Sequence, residues 1–182
     1  MGIEIDGAPE LEALLSRILS PVRRTCAVLH AAAAGNYTAG DVISSDVDDT
    51  EGGPTELRDF ARVPGGTGTI TAIRAKCSED AVLVTLRLHF FDLPPTPAEV
   101  EMDDNIAFTI ATAGGHNKYL GAITLNAFVD KGAALSGSDT VDLFESFKCR
   151  EGQTSIWFVV EATTAEANET AGMSLTFDVY VI

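Results

Sequence analysis

The sequence predicts a mainly β fold, an antiparallel β-sandwich of jelly-roll type preceded by one short amphipathic helix. The apolar pattern has a period of two residues along most of the chain and a helical period only near its start. Groups of Gly, Pro and Asn divide the chain into about ten short segments without strand–helix–strand alternation. A double-sheet jelly roll is an arrangement that strands in this number often form.

The predicted helix covers residues 9–19. Its apolar residues recur at the spacing of a single stripe: Leu11, Leu14, Leu15, Ile18 and Leu19. A helix this short is marginal alone in water, so the stripe must dock on another surface. We therefore expect residues 1–22 to form an arm and residues 23–182 to form one sandwich domain. The helix docks either on a neighbouring subunit or on the open end of its own sandwich.

Three predicted strands are the most regular: 81–91, 154–162 and 173–181. Both faces of the strand at 154–162 are largely apolar, so we expect it to be buried on both sides or to lie at an interface. Trp157 on this strand is therefore a candidate interaction residue. The weaker predicted strands are Thr25–Ala32, Thr38–Ile43, Asp59–Val63, Gly66–Lys76, Ile106–Ala111, Tyr119–Val129 and Asp139–Phe147.

The charge distribution argues against nucleic acid and membranes as partners. The net charge of −15 would repel polyanions on average, and no apolar run is long enough to cross a bilayer. Arg23 and Arg24 lie in a stretch without acidic residues, whereas residues 41–60 carry seven acids. A basic arm that meets an acidic patch on a neighbour would favour self-association. The other interpretation is a solvated acidic loop.

The three cysteines are odd in number, widely spaced and without the spacing of zinc ligands. Cys26 and Cys77 lie within apolar strand patterns, where a reduced cysteine acts as a small hydrophobic residue. We expect all three to be free thiols, as in a protein that assembles in a reducing cytoplasm.

Few residue patterns indicate chemistry. The acids of residues 46–51 fail the EF-hand pattern and suggest a solvated turn or a loose calcium site. His89 lies near Asp92 in sequence but has no accompanying nucleophile motif. The glycines of residues 65–68 precede a strand instead of a helix, which favours a tight turn or a close backbone approach over phosphate binding. We therefore predict no catalytic, metal-binding or cofactor-binding residues.

Aromatic residues allow a second interpretation. A sugar-stacking platform could be formed by some of them, although alternating aromatics in strands usually pack in the core. The candidates are Tyr119, Tyr180, Trp157, Phe158 and the pair Phe90-Phe91.

Five segments, in this order, resemble a group of small virion proteins of tailed bacteriophages that accompany the head genes. They are residues 37–43, 65–70, 86–96, 104–108 and 119–121. The resemblance spans about half of the chain and implies a structural role in the virion. The version it favours is a capsid decoration (cement) protein, a β-sandwich that forms a homotrimer and binds the major capsid protein.

The resemblance also implies a place on the capsid exterior after assembly in the host cytoplasm, and it transfers no catalytic residues. The candidate contacts are the helix stripe, Arg23, Arg24 and Trp157. The alternative is a carbohydrate- or receptor-binding module of a tail or fibre.

Overall fold

The computed structural model describes residues 20–29, 37–44, 53–78, 85–132, 135–165 and 174–182. The predicted helix at 9–19 lies outside these residues. Within them the chain forms ten strands and one short helix. They are β1 (Val22–Leu29), β2 (Val42–Ile43), β3 (Thr55–Leu57), β4 (Thr67–Cys77), β5 (Leu86–Phe91), α1 (Ala113–Lys118), β6 (Tyr119–Thr124), β7 (Val129–Gly132), β8 (Leu135–Lys148), β9 (Ile156–Ala162) and β10 (Ser174–Val181).

The strands form two antiparallel sheets. The first sheet has the order β1-β10-β4-β8-β7, and the second has the order β2-β9-β5-β6. Strand β3 also pairs with β9, next to β2 along the same edge. The first strand among the described residues is β1, which starts at Val22.

The pairing is nested. Strand β1 pairs with β10, β2 and β3 pair with β9, β4 pairs with β8, and β5 pairs with β6. The chain is thus a long hairpin folded back on itself, and its successive pairs alternate between the two sheets. This strand order is that of a jelly roll, which confirms the predicted fold class.

The main core lies between the two sheets. Leu175, Phe177 and Val179 of β10 alternate with outward polar residues and face the core, as the period of two predicts. Phe158 of β9 reaches them from the second sheet, and its ring meets that of Phe177 edge-on with centroids 5.5 Å apart. The regular alternation in β9 and β10 therefore determines which faces meet.

A smaller core covers the outer face of the second sheet. Residues 92–118, the covering segment, connect β5 to β6 and contribute Val100 and Met102 to this core. These side chains pack with Phe91 of β5 and Val159 of β9. Strand β9 is therefore buried on both faces by its own chain, so its apolar outer face does not require a subunit interface.

Two predicted strands are wrong. Residues 59–63 form turns and bends, and Asp59 has a left-handed φ of 49° that interrupts an extended chain. Residues 106–111 make only isolated bridges, because this part of the chain lies over a sheet instead of within one. The predicted strand Tyr119–Val129 divides into β6 and the start of β7.

Helix α1 was not predicted, because its sequence begins with Ala113 and two glycines that read as a chain break. The Thr112 side chain caps the helix by accepting a hydrogen bond from the backbone N–H of Gly115. A Cβ at Gly115 would lie 2.7 Å from the Glu99 carbonyl oxygen and 2.8 Å from Ile110. Glycine is therefore needed here for packing within the covering segment.

Candidate functional site

A polar cluster joins the second sheet to its covering segment. His89 of β5 lies with its Nε2 atom 2.6 Å from Oε2 of Glu161 on the neighbouring strand β9. Its Nδ1 atom lies 3.2 Å from the hydroxyl of Tyr119 at the start of β6. The ring of Phe108, from the covering segment, stacks on the imidazole with centroids 3.8 Å apart. Arg87 of β5 also contacts the Glu161 carboxylate, at 3.3 Å.

Burial lowers the pKa of His89, and the nearby Glu161 carboxylate only partly offsets this effect. Burial likewise raises the pKa of Tyr119, which keeps its hydroxyl protonated. A neutral His89 can then donate from Nε2 to the carboxylate and accept from Tyr119 at Nδ1. Both ring nitrogens are satisfied in this tautomer.

The chemistry of this cluster is that of a structural contact, which links the second sheet to the covering segment. A histidine beside a carboxylate is the arrangement of a general base, but such a base must reach a substrate. Only 7% of the His89 side chain is exposed, and Phe108 covers one face of its ring. The carboxylate is Glu161, because Asp92, its neighbour in sequence, is paired with Arg150 at 2.9 Å.

A second set of contacts attaches residues 37–44 to the covering segment. The buried hydroxyl of Tyr37 donates to Oδ1 of Asp104 at 2.6 Å, and the backbone N–H of Ser44 donates to the same oxygen at 2.8 Å. The backbone N–H of Phe108 donates to the carbonyl of Gly40 at 2.8 Å. A buried carboxylate with several donors holds this segment in one register.

A third set of contacts joins the two ends of the covering segment. The Lys118 ammonium donates to the Glu99 carboxylate at 2.6 Å, and Thr96 donates to it from its backbone and its hydroxyl. The hydrogen bond from Lys118 is the largest cause that lowers the pKa of Glu99 to about 2. The two ends of the segment are therefore held together.

These contacts join four of the five segments that carry the phage resemblance. Residues 37–43, 86–92, 104–108 and 119–121 contribute to the polar cluster or to the contacts around Asp104. The fifth segment contains Gly65, with a left-handed φ of 70°, and Gly68, which packs tightly against the backbone of Phe60. A tight turn, or a bulge with close backbone approach, was predicted for these glycines; the turn is present at Gly65 and the close backbone approach at Gly68.

Arg23 and Arg24, predicted as interaction residues, lie on β1 at the edge of the first sheet. Arg23 contacts Asp178 at 3.1 Å, and Lys76 contacts the same carboxylate at 2.8 Å. Arg24 donates to the backbone carbonyl of Asp59 at 3.0 Å. The predicted residues Leu11, Leu14, Leu15, Ile18 and Leu19 lie outside the described residues.

The aromatic residues do not form one platform within the described chain. Trp157 is half-buried in the second sheet. Phe91, the residue that pairs with it on β5, is fully buried. Tyr180 lies in the first sheet, where Arg74 stacks over its ring at 5.4 Å. Core packing is confirmed for Phe90, Phe91 and Phe158.

The described residues contain neither a metal-binding cluster nor a membrane-spanning helix. No cluster of three or more His, Cys, Asp or Glu side chains there could hold a metal ion. The acids of 46–51 lie outside these residues. All three cysteines are free thiols, as predicted. No helix in the described part of the chain is long and apolar enough to span a membrane.

Sequence reasoning missed three acids and one aromatic residue. Glu161 and Asp178 are acids within buried strands, and that position was an available signal. Asp104 lies in a loop, where no periodic pattern of the sequence could have identified it. Phe144 was assigned to an ordinary strand, although it is one of the most exposed apolar side chains described.

Comparison with known proteins returned little. The sequence matches no family model and no curated protein. Among solved structures it is similar to a chain of "Israeli acute paralysis virus heated to 63 degree - full particle". The TM-score is 0.32 at 10% identity, over 100% of this chain and 79% of that chain. The fold assignment here rests on the strand order alone.

Proposed function

We propose that this chain is a non-enzymatic structural protein of a tailed-bacteriophage virion. In the specific form of the proposal, it is a decoration protein on the capsid exterior. It binds the major capsid protein and associates with itself as a homotrimer, after synthesis in the host cytoplasm.

The observation that carries the proposal is the convergence of the segments that resemble phage virion proteins. Four segments separated along the chain meet around His89, Phe108 and Asp104. Their convergence supports a common structural unit, the second sheet with its covering segment.

Exposed apolar side chains support a role in assembly. Several large ones remain in contact with solvent at strand ends, edges and loops of an otherwise well-packed sandwich: Val22, Val63, Ile106, Val129, Val141 and Phe144. Single exposed residues are ordinary, but Phe144 and Val63 are more than half exposed and lie beside charged residues. Such positions suit contacts with a neighbouring protein.

Quantitative mass spectrometry of purified particles tests the proposal. We expect the protein in many copies, in a constant ratio to the major capsid protein, on full heads and on tail-less heads. Isolated tails serve as the matched control. Enrichment on tails would instead support the receptor-binding alternative, and absence from particles would refute a virion role.

Deletion of residues 1–20 tests the arm. This deletion ends before β1, so we expect a folded sandwich with near-normal melting but weaker association or capsid binding. Leu14→Asp in the full chain is a milder version that disrupts the predicted stripe. A truncated chain that unfolds would show that the arm belongs to the core of its own domain.

A further inference from the structure

Strand β8 contains a bulge that exposes Phe144. Opposite residues 70–72 of β4, the pairing of β8 shifts between Val141 and Glu145, so extra residues are inserted there. Asp142 and Phe144 have left-handed φ values of 59° and 56°. A bulky residue rarely adopts this conformation, and strain of this kind often marks functional positions.

The bulge presents an aromatic side chain between two acids. Phe144 is 67% exposed, and Asp142 and Glu145 beside it are also exposed. Neither carboxylate has an ion pair or side-chain hydrogen bond within the described chain. The bulge therefore offers an apolar anchor with unpaired negative charge around it.

A pocket with the complementary chemistry lies beside β1. Its volume is about 110 Å³. Arg24 and Arg62 contribute two positive charges to its lining, and Asp59 contributes one negative charge. Val22 and Val63 in its wall are 40% and 61% exposed. An apolar cavity of about 150 Å³ can hold benzene, so an open pocket of this size can accept much of a phenyl ring. The lining is Val22, Arg24, Asp59, Phe60, Arg62, Val63, Gly66, Thr67, Val181 and Ile182.

Arg24 adds an independent indication of a missing acceptor. Its Nε atom is buried and has no hydrogen-bond acceptor among the described residues. Its one hydrogen bond there goes to a backbone carbonyl, that of Asp59. A guanidinium group has five N–H donors, and the one hydrogen bond of Arg24 leaves others on Nη1 and Nη2 that can donate to a carboxylate of a partner.

The bulge lies on β8, whereas the pocket is lined by β1, by the ends of β4 and β10, and by the loop of residues 59–66. Strand β1 forms one edge, and β8 is separated from it by β10 and β4, at about 14 Å for three strand spacings. One copy therefore cannot insert its own Phe144 into its own pocket. We propose that Phe144 of one copy docks in the β1 pocket of a second copy, with Asp142 and Glu145 facing Arg24 and Arg62.

The contact deepens the proposed function, on which it rests, because it names a surface for self-association. It joins two different patches, so it is a head-to-tail contact that closes into a ring or continues as a filament. A closed ring of three copies fits the homotrimer in the proposed function.

Sedimentation velocity on the full chain tests each half of the contact. We expect Phe144→Ser to raise the dissociation constant for self-association about 30-fold or more, as for an interface hot spot. Arg24→Glu should weaken association to a similar degree. Val129→Ser is the matched control, because Val129 is also exposed on this side of the sheet but lies roughly 20 Å from the bulge along the strands.

A mixing experiment distinguishes this contact from a symmetric one. The Phe144→Ser chain keeps an intact pocket, and the Arg24→Glu chain keeps an intact bulge. An equimolar mixture should therefore form a dimer with one copy of each, at concentrations where neither variant associates alone. Melting temperatures measured in parallel check that both variants are folded.

Three results would overturn the inference: a wild-type chain that stays monomeric at the highest accessible concentration, a Phe144→Ser chain that associates normally, or a mixture that stays monomeric. If the protein is abundant on heads but one of these results is found, only the docking contact fails. If the contact behaves as expected but the protein is absent from particles, only the virion role fails.

Discussion

Nε2 of His89 on β5 lies 2.6 Å from Oε2 of Glu161 on β9, on the sheet face that also carries the smaller apolar core. A shift of either strand by one residue would turn its polar side chain toward the main core. The pair therefore stabilises one register between β5 and β9 as well as the position of Phe108.

Acid should destabilise the protein through His89. Burial lowers its pKa in the folded state, so the neutral form is favoured by folding. Its contribution to the free energy of unfolding is complete above the ordinary value of 6.5 and is lost as the pH falls through the lowered pKa. Urea denaturation between pH 5 and pH 8 measures this loss.

His89→Gln should remove that part of the pH dependence. At neutral pH it should also lower the free energy of unfolding by about 1–3 kcal/mol, because Glu161 loses its closest partner. His116→Gln is the control, since His116 is exposed on α1. An unchanged pH profile for His89→Gln would contradict this assignment.

Asp178 should contribute stability at neutral pH that disappears in stronger acid. Burial alone would raise its pKa, but hydrogen bonds from Lys76 and Thr25 and the charges of Lys76 and Arg23 lower it overall. The stabilisation is therefore present above the ordinary value of 3.8 and is lost as the pH falls through the lowered pKa.

We expect Asp178→Asn to lower the free energy of unfolding by about 1–3 kcal/mol at pH 7, because the Asp178 side chain is 3% exposed and has several donors around it. Asp139→Asn, in a half-exposed pair with Arg74, should cost less than about 1 kcal/mol. Equal costs in chemical denaturation would contradict the difference in burial.

Gly68 should not tolerate a side chain. A Cβ there would lie 2.5 Å from the carbonyl oxygen of Phe60 and 2.8 Å from its ring. Gly68→Ala is expected to lower the free energy of unfolding by about 1–3 kcal/mol or more, through overpacking. Thr67→Ala, at the exposed neighbouring position, should change it by less than about 0.5 kcal/mol. Thermal melting of the two variants makes the comparison.

The cysteines should be inert in the folded protein. Burial is the larger cause that raises the pKa of Cys26 to about 12, and the charge of Asp178 adds to it. Burial also raises the pKa of Cys149. We expect slow alkylation by iodoacetamide at pH 8 until denaturant is added, and a melting temperature that does not change with reductant. Rapid labelling of native protein would contradict this prediction.

Much of the fold could be predicted because alternation is a local signal. The inward residues of β10 and the two-sided burial of β9 follow directly from apolar spacing. The covering segment could not be predicted in this way, because it packs on a sheet face without belonging to the sheet. Helix α1 was missed because Gly114 and Gly115 read as a chain break, although contact with Glu99 and Ile110 is what requires glycine at position 115.

The candidate site was less predictable than the fold. Arg23 and Arg24 were identified from charge distribution, but Asp178, the partner of Arg23, lies far along the chain. Phe144 matched the period of a strand, and only the strand pairing and the backbone torsion angles reveal that it belongs to a bulge. Long-range pairing and local strain have no signature in a single sequence.

The nested pairing of strands has a consequence for synthesis on the ribosome. Val22 pairs with Val181, and β10 lies between β1 and β4 although it follows every other described strand. Until residues 174–182 emerge, β1 has no neighbour in its sheet, and β4 lacks one of its two partners. Loss of these few residues would therefore remove the strand that joins β1 to β4, so prematurely terminated chains cannot close the sandwich.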